Sequence, residues 1–517
     1  MARLVIGTSK AATTAGLVKE PAHYVAFEVD ANGTPTPPYS ATKTTDFSGI
    51  KTLNSRFASA YNGCTHITTA DLSDVESITG GGSCFLDCTG LTYADLSSVK
   101  DISGASGMFK GCTSLTSVNL GSLQRVIGAG ANAMFQGCTS LTTVTLGAFT
   151  TSYRYSSSGS CCSSMFKDCT SLVSLDLSGL SSSTDLGSMC SSMCQGCTSL
   201  VSVDLHNLTR ISGSYSFQYA FSGCTSLQSV DLSGLMRIEG NYYPVSNMFA
   251  NCTSLTSFTF QRLNYFAGGN AAMFSGCTSL REVSFPGLAL RSSIPGSITT
   301  LLSGCSNVTV HFPAEWETLM SQSTAIMNGM SGTNTTVLFD LPNVRTADLS
   351  FLTKAVMYFQ MNSAFSGCTE ITSVDARNIT EVAEGALNSA FSGCTALTSI
   401  NFSALRDVLN STSAPFSSTF SNCTALTTVE FPSLVNISSS FGYCFTGCTA
   451  LTSISFPALK STSTIISSAF NNMFNASVSG CTLHFPSNMS TIISRLSGYP
   501  NFGGTNTTVL FDLPATE

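Results

Sequence analysis

Charged residues are scarce in this chain, since Asp, Glu, Lys and Arg together make up 10% of its 517 residues. An average soluble domain carries about 25%, so the polar surface must come mainly from Ser, Thr, Asn and Gly. The net charge is −7 and the pI is near 5.3, and Lys and Arg are scattered singly. A nucleic-acid partner is therefore not expected, because no basic patch is present.

Long apolar runs are also lacking. The mean hydropathy is +0.24, yet no segment approaches the roughly 18 apolar residues that a membrane-spanning helix needs. Residues 1–10 turn polar within a few positions and contain no hydrophobic core of the kind found in secretory signals. These features predict a soluble protein that is made in the cytoplasm and does not insert into a membrane.

Histidine is rare, with five residues in the chain. His311 and His484 occupy the same position in two copies of one motif, which favours a structural role. No nucleophile motif, phosphate-binding loop or carboxylate pair stands out. We therefore expect no enzymatic activity and no cofactor.

Cysteine, in contrast, is abundant, and fifteen of the 21 cysteines occupy one repeated position. Consecutive members lie 24 to 33 residues apart, except across one gap of 63. A period in this range is typical of a solenoid, in which each repeat buries its apolar face only against its neighbours. The fifteen repeat cysteines are Cys64, Cys88, Cys112, Cys138, Cys169, Cys197, Cys224, Cys252, Cys277, Cys305, Cys368, Cys394, Cys423, Cys448 and Cys481.

An odd number of cysteines at one position argues against obligate disulfide pairing. Equivalent cysteines in stacked coils would lie about 5 Å apart, close to disulfide range, but free thiols packed as small apolar groups are the favoured interpretation. Cys161 and Cys162, or the run Cys190, Cys194 and Cys197, could be drawn as metal ligands. Zinc sites use tighter paired spacings, so we expect no metal.

The repeat has a constant inner part, seen in residues 134–146, Met-Phe-Gln-Gly-Cys-Thr-Ser-Leu-Thr-Thr-Val-Thr-Leu. Its last residues alternate between apolar and polar, which predicts a half-buried strand. Three positions before the cysteine stands a large apolar residue, Phe in eleven of the fifteen coils, which predicts a column of stacked rings. Directly before the cysteine stands Gly in eleven coils and Asp87, Asp168, Asn251 or Asn422 in the others. These residue types tolerate positive φ, so a left-handed turn should feed each strand.

Two copies of one segment divide the array. Residues 310–342 and 483–514 each contain His-Phe-Pro, an amphipathic stretch and the identical run Gly-Thr-Asn-Thr-Thr-Val-Leu-Phe-Asp-Leu-Pro. We interpret both as strand-helix-strand C-terminal caps. The predicted domains are residues 1–45, a small β-rich head with strands near 4–6 and 25–29; residues 46–342, a long capped block; and residues 343–517, a shorter capped block. The head either caps the array or attaches it to a larger assembly.

Residues 220–232, Ala-Phe-Ser-Gly-Cys-Thr-Ser-Leu-Gln-Ser-Val-Asp-Leu, and residues 390–402, Ala-Phe-Ser-Gly-Cys-Thr-Ala-Leu-Thr-Ser-Ile-Asn-Phe, resemble the BspA-type, or treponemal-type, leucine-rich repeat. The resemblance covers about residues 46–486. It implies an α/β leucine-rich-repeat solenoid, right-handed, with a parallel strand sheet on one face. Family members are largely surface or secreted binding proteins of bacteria and some protists, and similar repeats occur in gut phage proteins.

Outward-facing strand residues form the first candidate binding set. Side chains at equivalent positions of neighbouring strands should lie about 5 Å apart, so the aspartates would form a row. Such a row could hold Ca²⁺, although solvated carboxylates among hydroxyls are the favoured interpretation. The candidates are Asp95, Thr143, Thr145, Asp176, Asp204, Asp231 and Asp375.

Tyrosine-bearing spacers between coils form the second candidate set, because insertions in repeat proteins tend to map to the binding face. A tyrosine ring buries area at low entropic cost while its hydroxyl forms hydrogen bonds, which suits sugar or protein recognition. Padding of the convex side is the alternative. The candidates are Tyr153, Arg154, Tyr155, Tyr215, Tyr242, Tyr243 and Tyr265.

These features together predict a non-enzymatic structural and binding protein that recognises a host-surface glycan or protein. The main hypothesis is a phage virion component of the fibre or receptor-binding type, joined to other virion proteins through residues 1–45. Virion proteins are made in the host cytoplasm and leave by lysis, so they need no secretory signal. A BspA-like bacterial cell-surface adhesin is the alternative. In either case we expect a homo-oligomer or a part of a larger assembly.

Overall fold

The computed structural model describes residues 3–4, 18–20, 23–25, 28–29, 44–47, 49–152, 161–180, 190–239, 243–266, 272–290, 298–356, 361–409, 414–460, 462–499 and 502–516. Most of these residues form a solenoid whose successive coils are joined through parallel strands. The predicted leucine-rich-repeat solenoid with a parallel sheet is confirmed. Within the described ranges, no helix is both long enough and apolar enough to cross a bilayer.

The N-terminal segment contributes two small antiparallel pairs. Strand β1 (Arg3–Leu4) pairs with β4 (Glu28–Val29), and β2 (Val18–Glu20) pairs with β3 (His23–Val25). The strands predicted near residues 4–6 and 25–29 therefore overlap β1, β3 and β4.

In the first block each coil contributes a front strand of three to six residues, and most coils add a shorter second strand on another side. The strands in chain order are β5 (Thr44–Asp46), β6 (Thr52–Leu53), β7 (Thr69–Asp71), β8 (Ser77–Ile78), β9 (Tyr93–Asp95), β10 (Asp101–Ile102), β11 (Ser117–Leu120), β12 (Arg125–Ile127), β13 (Thr143–Leu146), β14 (Thr150–Ser152), β15 (Ser174–Asp176), β16 (Ser202–Asp204), β17 (Arg210–Ile211), β18 (Ser229–Asp231), β19 (Arg237–Ile238), β20 (Ser257–Thr259), β21 (Tyr265–Phe266), β22 (Glu282–Ser284), β23 (Thr309–Pro313) and β24 (Thr336–Leu341).

The second block follows the same plan. Its strands are β25 (Thr346–Asp348), β26 (Lys354–Ala355), β27 (Ser373–Asp375), β28 (Glu381–Val382), β29 (Ser399–Asn401), β30 (Asp407–Val408), β31 (Thr428–Glu430), β32 (Asn436–Ile437), β33 (Ser453–Ser455), β34 (Thr482–Pro486) and β35 (Thr508–Leu513).

The strands form two series of parallel sheets, which we call the front sheets and the side sheets. The front sheets have the orders β5-β7-β9-β11-β13, β15-β16-β18, β20-β22-β23-β24, β25-β27-β29 and β31-β33-β34-β35. The side sheets have the orders β6-β8-β10-β12-β14, β17-β19-β21 and β26-β28-β30-β32. The front sheet was predicted and the side sheet was not. A two-residue strand is too short to show a period-two pattern.

Within the described residues, α-helix is confined to the two predicted caps. Helices α1 (Glu317–Met320) and α2 (Thr324–Met327) lie between β23 and β24, and α3 (Ser490–Ile493) lies between β34 and β35. Short 3-10 turns span Ser55–Phe57, Ala314–Trp316 and Ser487–Met489. In the repeats themselves the side opposite the front sheet is built from turns.

The residue before each repeat cysteine has positive φ in all fifteen coils, as predicted. Eleven are glycines, and Asp87, Asp168, Asn251 and Asn422 have φ between 56° and 61°. The amide or carboxylate side chain at such a step lies against the glycine of the next coil. A Cβ on Gly111 would meet the Asp87 Oδ1 at 2.1 Å, for example. Each Asp or Asn step is therefore followed by a glycine step.

The residues three positions before the cysteines form the predicted column of rings. Tyr61, Phe85, Phe109, Phe135 and Phe166 stack with centroids 5.2 to 5.6 Å apart and planes within 5°. Offset stacks at this distance add to the burial of the rings themselves. In the second block Phe365, Phe391, Phe420 and Phe445 repeat the arrangement at 5.5 to 5.6 Å.

All 21 cysteines are buried, and none is paired in a disulfide in the structure. Twelve repeat cysteines do more than fill space, because each thiol donates to the carbonyl of the column residue in the preceding coil at 2.9 to 3.2 Å. Burial raises the pKa of the Cys138 thiol to about 12. This thiol is therefore protonated at neutral pH and can donate.

The side sheet uses several of the few charges. Asp101 and Arg125 are register partners on β10 and β12, and Arg125 Nε donates to Asp101 Oδ1 at 2.6 Å. Lys100 Nζ donates to Glu76 Oε2 at 2.8 Å, and Lys354 Nζ to Glu381 Oε1 at 2.7 Å. Exposed pairs of this kind contribute little to stability because water screens them, so we interpret them as setting coil-to-coil register.

The second block packs against the flank of the first. Met236 and Ala289 of the first block belong to the buried core of the second. The Arg262 guanidinium lies 4.4 Å from the centroid of the Phe351 ring and donates to Asp348 Oδ2 at 3.2 Å. Arg237 also donates to the Ser363 carbonyl. The contacted residues lie along one coil, 348–363, so this flank covers the beginning of the second block.

The end of the first block is not continued by the second. Strand β24 alternates between exposed and half-buried residues in the same way as β35. If another coil stacked on β24, its inward residues would be as buried as Val310 on β23. The two blocks therefore do not form one uninterrupted stack. The domain boundaries at residues 45 and 342 stay a prediction.

Candidate functional site

The front sheets place the first candidate set as expected. In β11 Val118 and Leu120 are buried while Ser117 and Asn119 point away from the core, and the same alternation holds along the sheet. Thr143, Thr145, Asp176 and Asp231 are exposed, and Asp95, Asp204 and Asp375 are half-buried. Their role in binding stays a prediction.

The structure brings three of the aspartates together. Asp176, Asp204 and Asp231 are register partners on β15, β16 and β18. Asp95 pairs in register with Asp71, and Asp375 with Asp348. Among the described residues, no group of three or more His, Cys, Asp or Glu side chains is placed to hold a metal ion.

The aspartates have a structural task that sequence reasoning missed. An oxygen of each side chain accepts the backbone N–H two residues later, which turns the chain from the front strand toward the side sheet. The pattern Asp-x-Ser after a strand was the available signal. This turn is made, at 2.8 to 3.4 Å, by Asp71, Asp95, Asn119, Asp176, Asp204, Asp231, Asp348, Asp375 and Asn401.

The candidate aspartates therefore hold these turns as well as facing outward. In Asp176 the hydrogen bond from the Ser178 hydroxyl, together with the Ser178 N–H, lowers the pKa of the carboxyl group. One carboxylate oxygen of Asp95 is committed to the Ser97 N–H at 3.0 Å. A ligand can use the remaining oxygen of such a carboxylate.

Tyr93 also lies on the outward face of the front sheet, although it is not among the candidate residues. Its ring is 48% exposed on the outward side of β9, next to Thr69 and Ser117 in register. The Asp95 carboxylate, followed by partial burial of the ring, raises the pKa of Tyr93. An exposed aromatic ring beside carboxylates is unusual on a face otherwise made of small polar side chains.

The outward positions of the front strands from β7 to β18 are acidic. They carry five carboxylates, Asp71, Asp95, Asp176, Asp204 and Asp231, and no Lys or Arg. Fields of one sign attract ligands of the opposite sign and repel like charges. The face therefore suits neutral or cationic ligands better than anionic ones.

Two tyrosines of the second set come together on the turn side. The rings of Tyr215 and Tyr243 lie 6.4 Å apart and are 37% and 45% exposed. Both residues have positive φ, as does the neighbouring Tyr219, whose ring is also 37% exposed. Positive φ is uncommon for a residue with a bulky side chain, whereas glycine and asparagine adopt it more easily.

The other loop candidates do not join this pair. Tyr265 lies in strand β21 rather than in a loop, and its ring packs under the Arg237 guanidinium at 4.2 Å. The prediction that Tyr265 lies in a loop is therefore wrong. The same Arg237 donates to the Ser363 carbonyl of the second block. Tyr153, Arg154, Tyr155 and Tyr242 lie outside the described residues.

The histidines of the caps form the same pair twice. His311 Nδ1 lies 2.9 Å from Asp340 Oδ1, and His484 Nδ1 lies 2.9 Å from Asp512 Oδ2. Each pair bridges the last two strands of a front sheet, β23 with β24 and β34 with β35. The repetition fits a structural role in joining the cap strand to its coil.

A cavity of about 200 Å³ lies at the junction of the two blocks. Arg262 and Met236 line it from the first block, and Val344, Asp348 and Phe365 line it from the second. Its walls are the residues that hold the blocks together, so it belongs to the junction.

The parallel sheets and the outward face of the front sheets define a repeat protein. Its inward residues pack one coil on the next, and its outward residues lie outside the core. The chain belongs to the BspA type leucine rich repeat region family. The match extends over most of the array, in six copies at residues 39–161, 106–220, 134–264, 163–295, 218–323 and 358–496.

Several solved structures are similar to this chain. A leucine-rich repeat protein from Bacteroides ovatus is 14% identical, with 98% of each chain covered and a TM-score of 0.26. A leucine-rich cell surface protein from Faecalibacterium prausnitzii is 15% identical, with 95% of this chain and 86% of that chain covered and a TM-score of 0.22. The T. pallidum leucine-rich repeat protein is 18% identical over 41% of this chain and 75% of that one, with a TM-score of 0.24. No curated protein matches.

Asp95→Ala should lower the free energy of unfolding by about 1 kcal/mol, because the Ser97 N–H loses its acceptor. Asp95→Asn keeps an acceptor and should stay within about 0.5 kcal/mol of the parent chain. Urea denaturation followed by circular dichroism measures both, with Thr143→Ala as an exposed control on the same face. Equal losses for the Ala and Asn variants would contradict the turn role.

Proposed function

We propose that this chain is a non-enzymatic binding protein that recognises a host-surface glycan or protein through its front-sheet face. The observation that carries the proposal is the division within each front strand. Inward positions are apolar and buried or half-buried, whereas outward positions hold hydroxyl, carboxylate and aromatic groups that the core does not use. Repeat solenoids use such extended surfaces for binding.

The chemistry of the face supports the ligand class. Thr143 and Thr145 on β13 offer two exposed hydroxyls with no carboxylate at either outward position. Tyr93, two strands away in the same sheet, offers an exposed ring for stacking on a sugar or an apolar side chain. The surrounding carboxylates favour neutral sugars or basic protein segments over acidic ones.

The turn-side tyrosines supply a second candidate surface. Tyr215 and Tyr243 form an exposed ring pair, and both residues have positive φ. Variants on each surface separate the two possibilities, because the surfaces lie on different sides of the coil.

We further propose that the chain acts at a surface outside the cell that makes it, as a phage virion component of the fibre or receptor-binding type. The support is the low charge and hydroxyl-rich surface of the array together with a separate N-terminal segment suited to attachment. A BspA-like bacterial adhesin is the alternative, supported by the family. If particles assembled with a chain lacking residues 1–43, which keeps strand β5, still contained it in parental amounts, attachment through the N-terminal segment would be wrong.

The triple variant Tyr93→Ala, Thr143→Ala, Thr145→Ala should weaken binding by tenfold or more, on the order expected when an aromatic anchor and its neighbours are removed. The measurement is titration against an array of bacterial surface polysaccharides and mucin-type glycans, followed by biolayer interferometry on the glycans that bind. The matched control is Tyr215→Ala, Tyr243→Ala, with melting temperatures recorded for both variants.

Loss of binding in the face variant alone supports the front-sheet proposal. Loss in the tyrosine control alone would overturn it in favour of the turn side. Hydrolysis of a bound glycan by the parent chain would contradict a purely binding role.

A further inference from the structure

Among the described residues, each cap strand ends a front sheet without a further strand paired to it. Strand β24 pairs with β23, and β35 pairs with β34, and each is the last strand of its sheet. The first strand of the array, β5, is contacted by β3, and the first coil of the second block is covered by the flank of the first. An open edge presents backbone donors and acceptors that another strand can pair with.

The cap strands also carry an apolar residue where other front strands are polar. Leu338 on β24 and Leu510 on β35 face outward and are 37% and 39% exposed. The outward positions of the other described front strands hold Ser, Thr, Asp, Asn, Glu, Tyr or His. Both cap strands have the sequence Thr-Val-Leu-Phe-Asp-Leu, so the exposed leucine occurs twice in an identical setting.

The inward side of β35 is likewise incompletely covered. Val509 and Phe511 are only partly buried, and Phe511 packs on Phe485 with centroids 6.1 Å apart. The following residues turn back over earlier coils instead of crossing the edge. Asn488 Nδ2 donates to the Thr516 carbonyl at 2.7 Å, and Thr516 Oγ1 donates to the Leu459 carbonyl.

The sequence of β35 is self-complementary when two copies run antiparallel. With Leu510 opposite Leu510 of a second copy, Val509 faces Phe511 on the inward side and Thr508 faces Asp512 on the outward side. Apolar residues thus meet apolar residues, and each carboxylate meets a hydroxyl. A parallel pairing in register would instead place Asp512 beside Asp512, where like charges repel.

We propose that this chain forms a two-fold symmetric dimer through antiparallel pairing of β35 with β35 of a second copy. The dyad passes midway between the two Leu510 residues, and the two front sheets become one continuous sheet. Such an isologous contact is the common form of dimer interface. Strand β24 does not serve in the same way, because the chain continues from it within five residues into β25 and the body of the second block.

The dimer has a consequence for binding. A dyad perpendicular to the sheet leaves the outward residues of both copies on the same side. Two front-sheet faces would then meet a surface together, and linked sites raise avidity without any new contact. The proposal goes beyond the proposed function, since the dimer can form whether or not the face binds a glycan.

The first test changes the charge opposite Asp512. Thr508→Asp places two carboxylate pairs across the dyad and should weaken dimerisation on the order of tenfold, whereas Thr508→Lys places two ion pairs there and should strengthen it at low salt. Sedimentation velocity of the full chain over a range of concentrations measures the dissociation constant. Thr336→Asp and Thr336→Lys are matched controls on β24, and both should leave it unchanged.

The second test traps the dyad directly. Leu510→Cys should give a covalent dimer on mild oxidation, seen on a non-reducing gel, because the two sulfurs would face each other across neighbouring strands. Leu338→Cys is the control, and the native cysteines are buried. A parent chain that is monomeric at all concentrations, Thr508 variants that act alike, or equal cross-linking at both positions would each overturn the proposal.

Discussion

The left-handed step before each repeat cysteine is the constraint on which the rest of the coil depends. It reverses the chain direction at one residue, so the cysteine thiol points at the carbonyl of the preceding coil and the next residues start the front strand. The ring three positions earlier then lies on its neighbour. Glycine adopts this step without steric cost, and Asp or Asn adopts it at a modest cost, which agrees with the narrow choice of residues at this position over fifteen coils.

Stacking by thiols, rings and backbone bonds leaves most outward side chains out of the packing between coils. The exceptions are the His–Asp pairs of the caps and the Asp or Asn residues at the strand ends. The strand-end Asp or Asn must hold the turn toward the side sheet, so Asp95 and its equivalents serve both the fold and the face. Thr143, Thr145 and Tyr93 do not accept the N–H bonds of these turns, so they can change at less cost to the coil than Asp95. Several of the few charged residues pair between coils at the side sheet.

Much of the coil could be predicted from the sequence, because a repeated position shows its environment many times. The left-handed step, the ring column and the inward residues Val118 and Leu120 were all predictable in this way. The side sheet was not, since a pair such as Asp101-Ile102 is too short to show a pattern. The Asp-x-Ser spacing at residues 95–97 indicates the turn role of Asp95, but an outward strand position suggests binding just as well, so the sequence alone does not separate the two roles.

The junction of the two blocks could not be predicted at all. It joins Met236, Arg262 and Ala289, which sit at the corners of three coils, to residues more than 50 positions later, and nothing local marks them as contacts. The strand that contains Tyr265 could not be predicted either, because it is only two residues long. Long-range contacts between irregular corners leave no periodic trace in a sequence.

The free energy of unfolding of Gly367→Ala tests the central role of the left-handed step most directly. Gly367 has φ of +73° and a Cβ there would meet nothing within 4 Å, so the substitution changes backbone preference and not packing. A loss of about 1 to 2 kcal/mol is predicted, with a smaller loss for Gly367→Asn, whose side chain has room over Gly393. An alanine variant as stable as the parent chain would contradict the account.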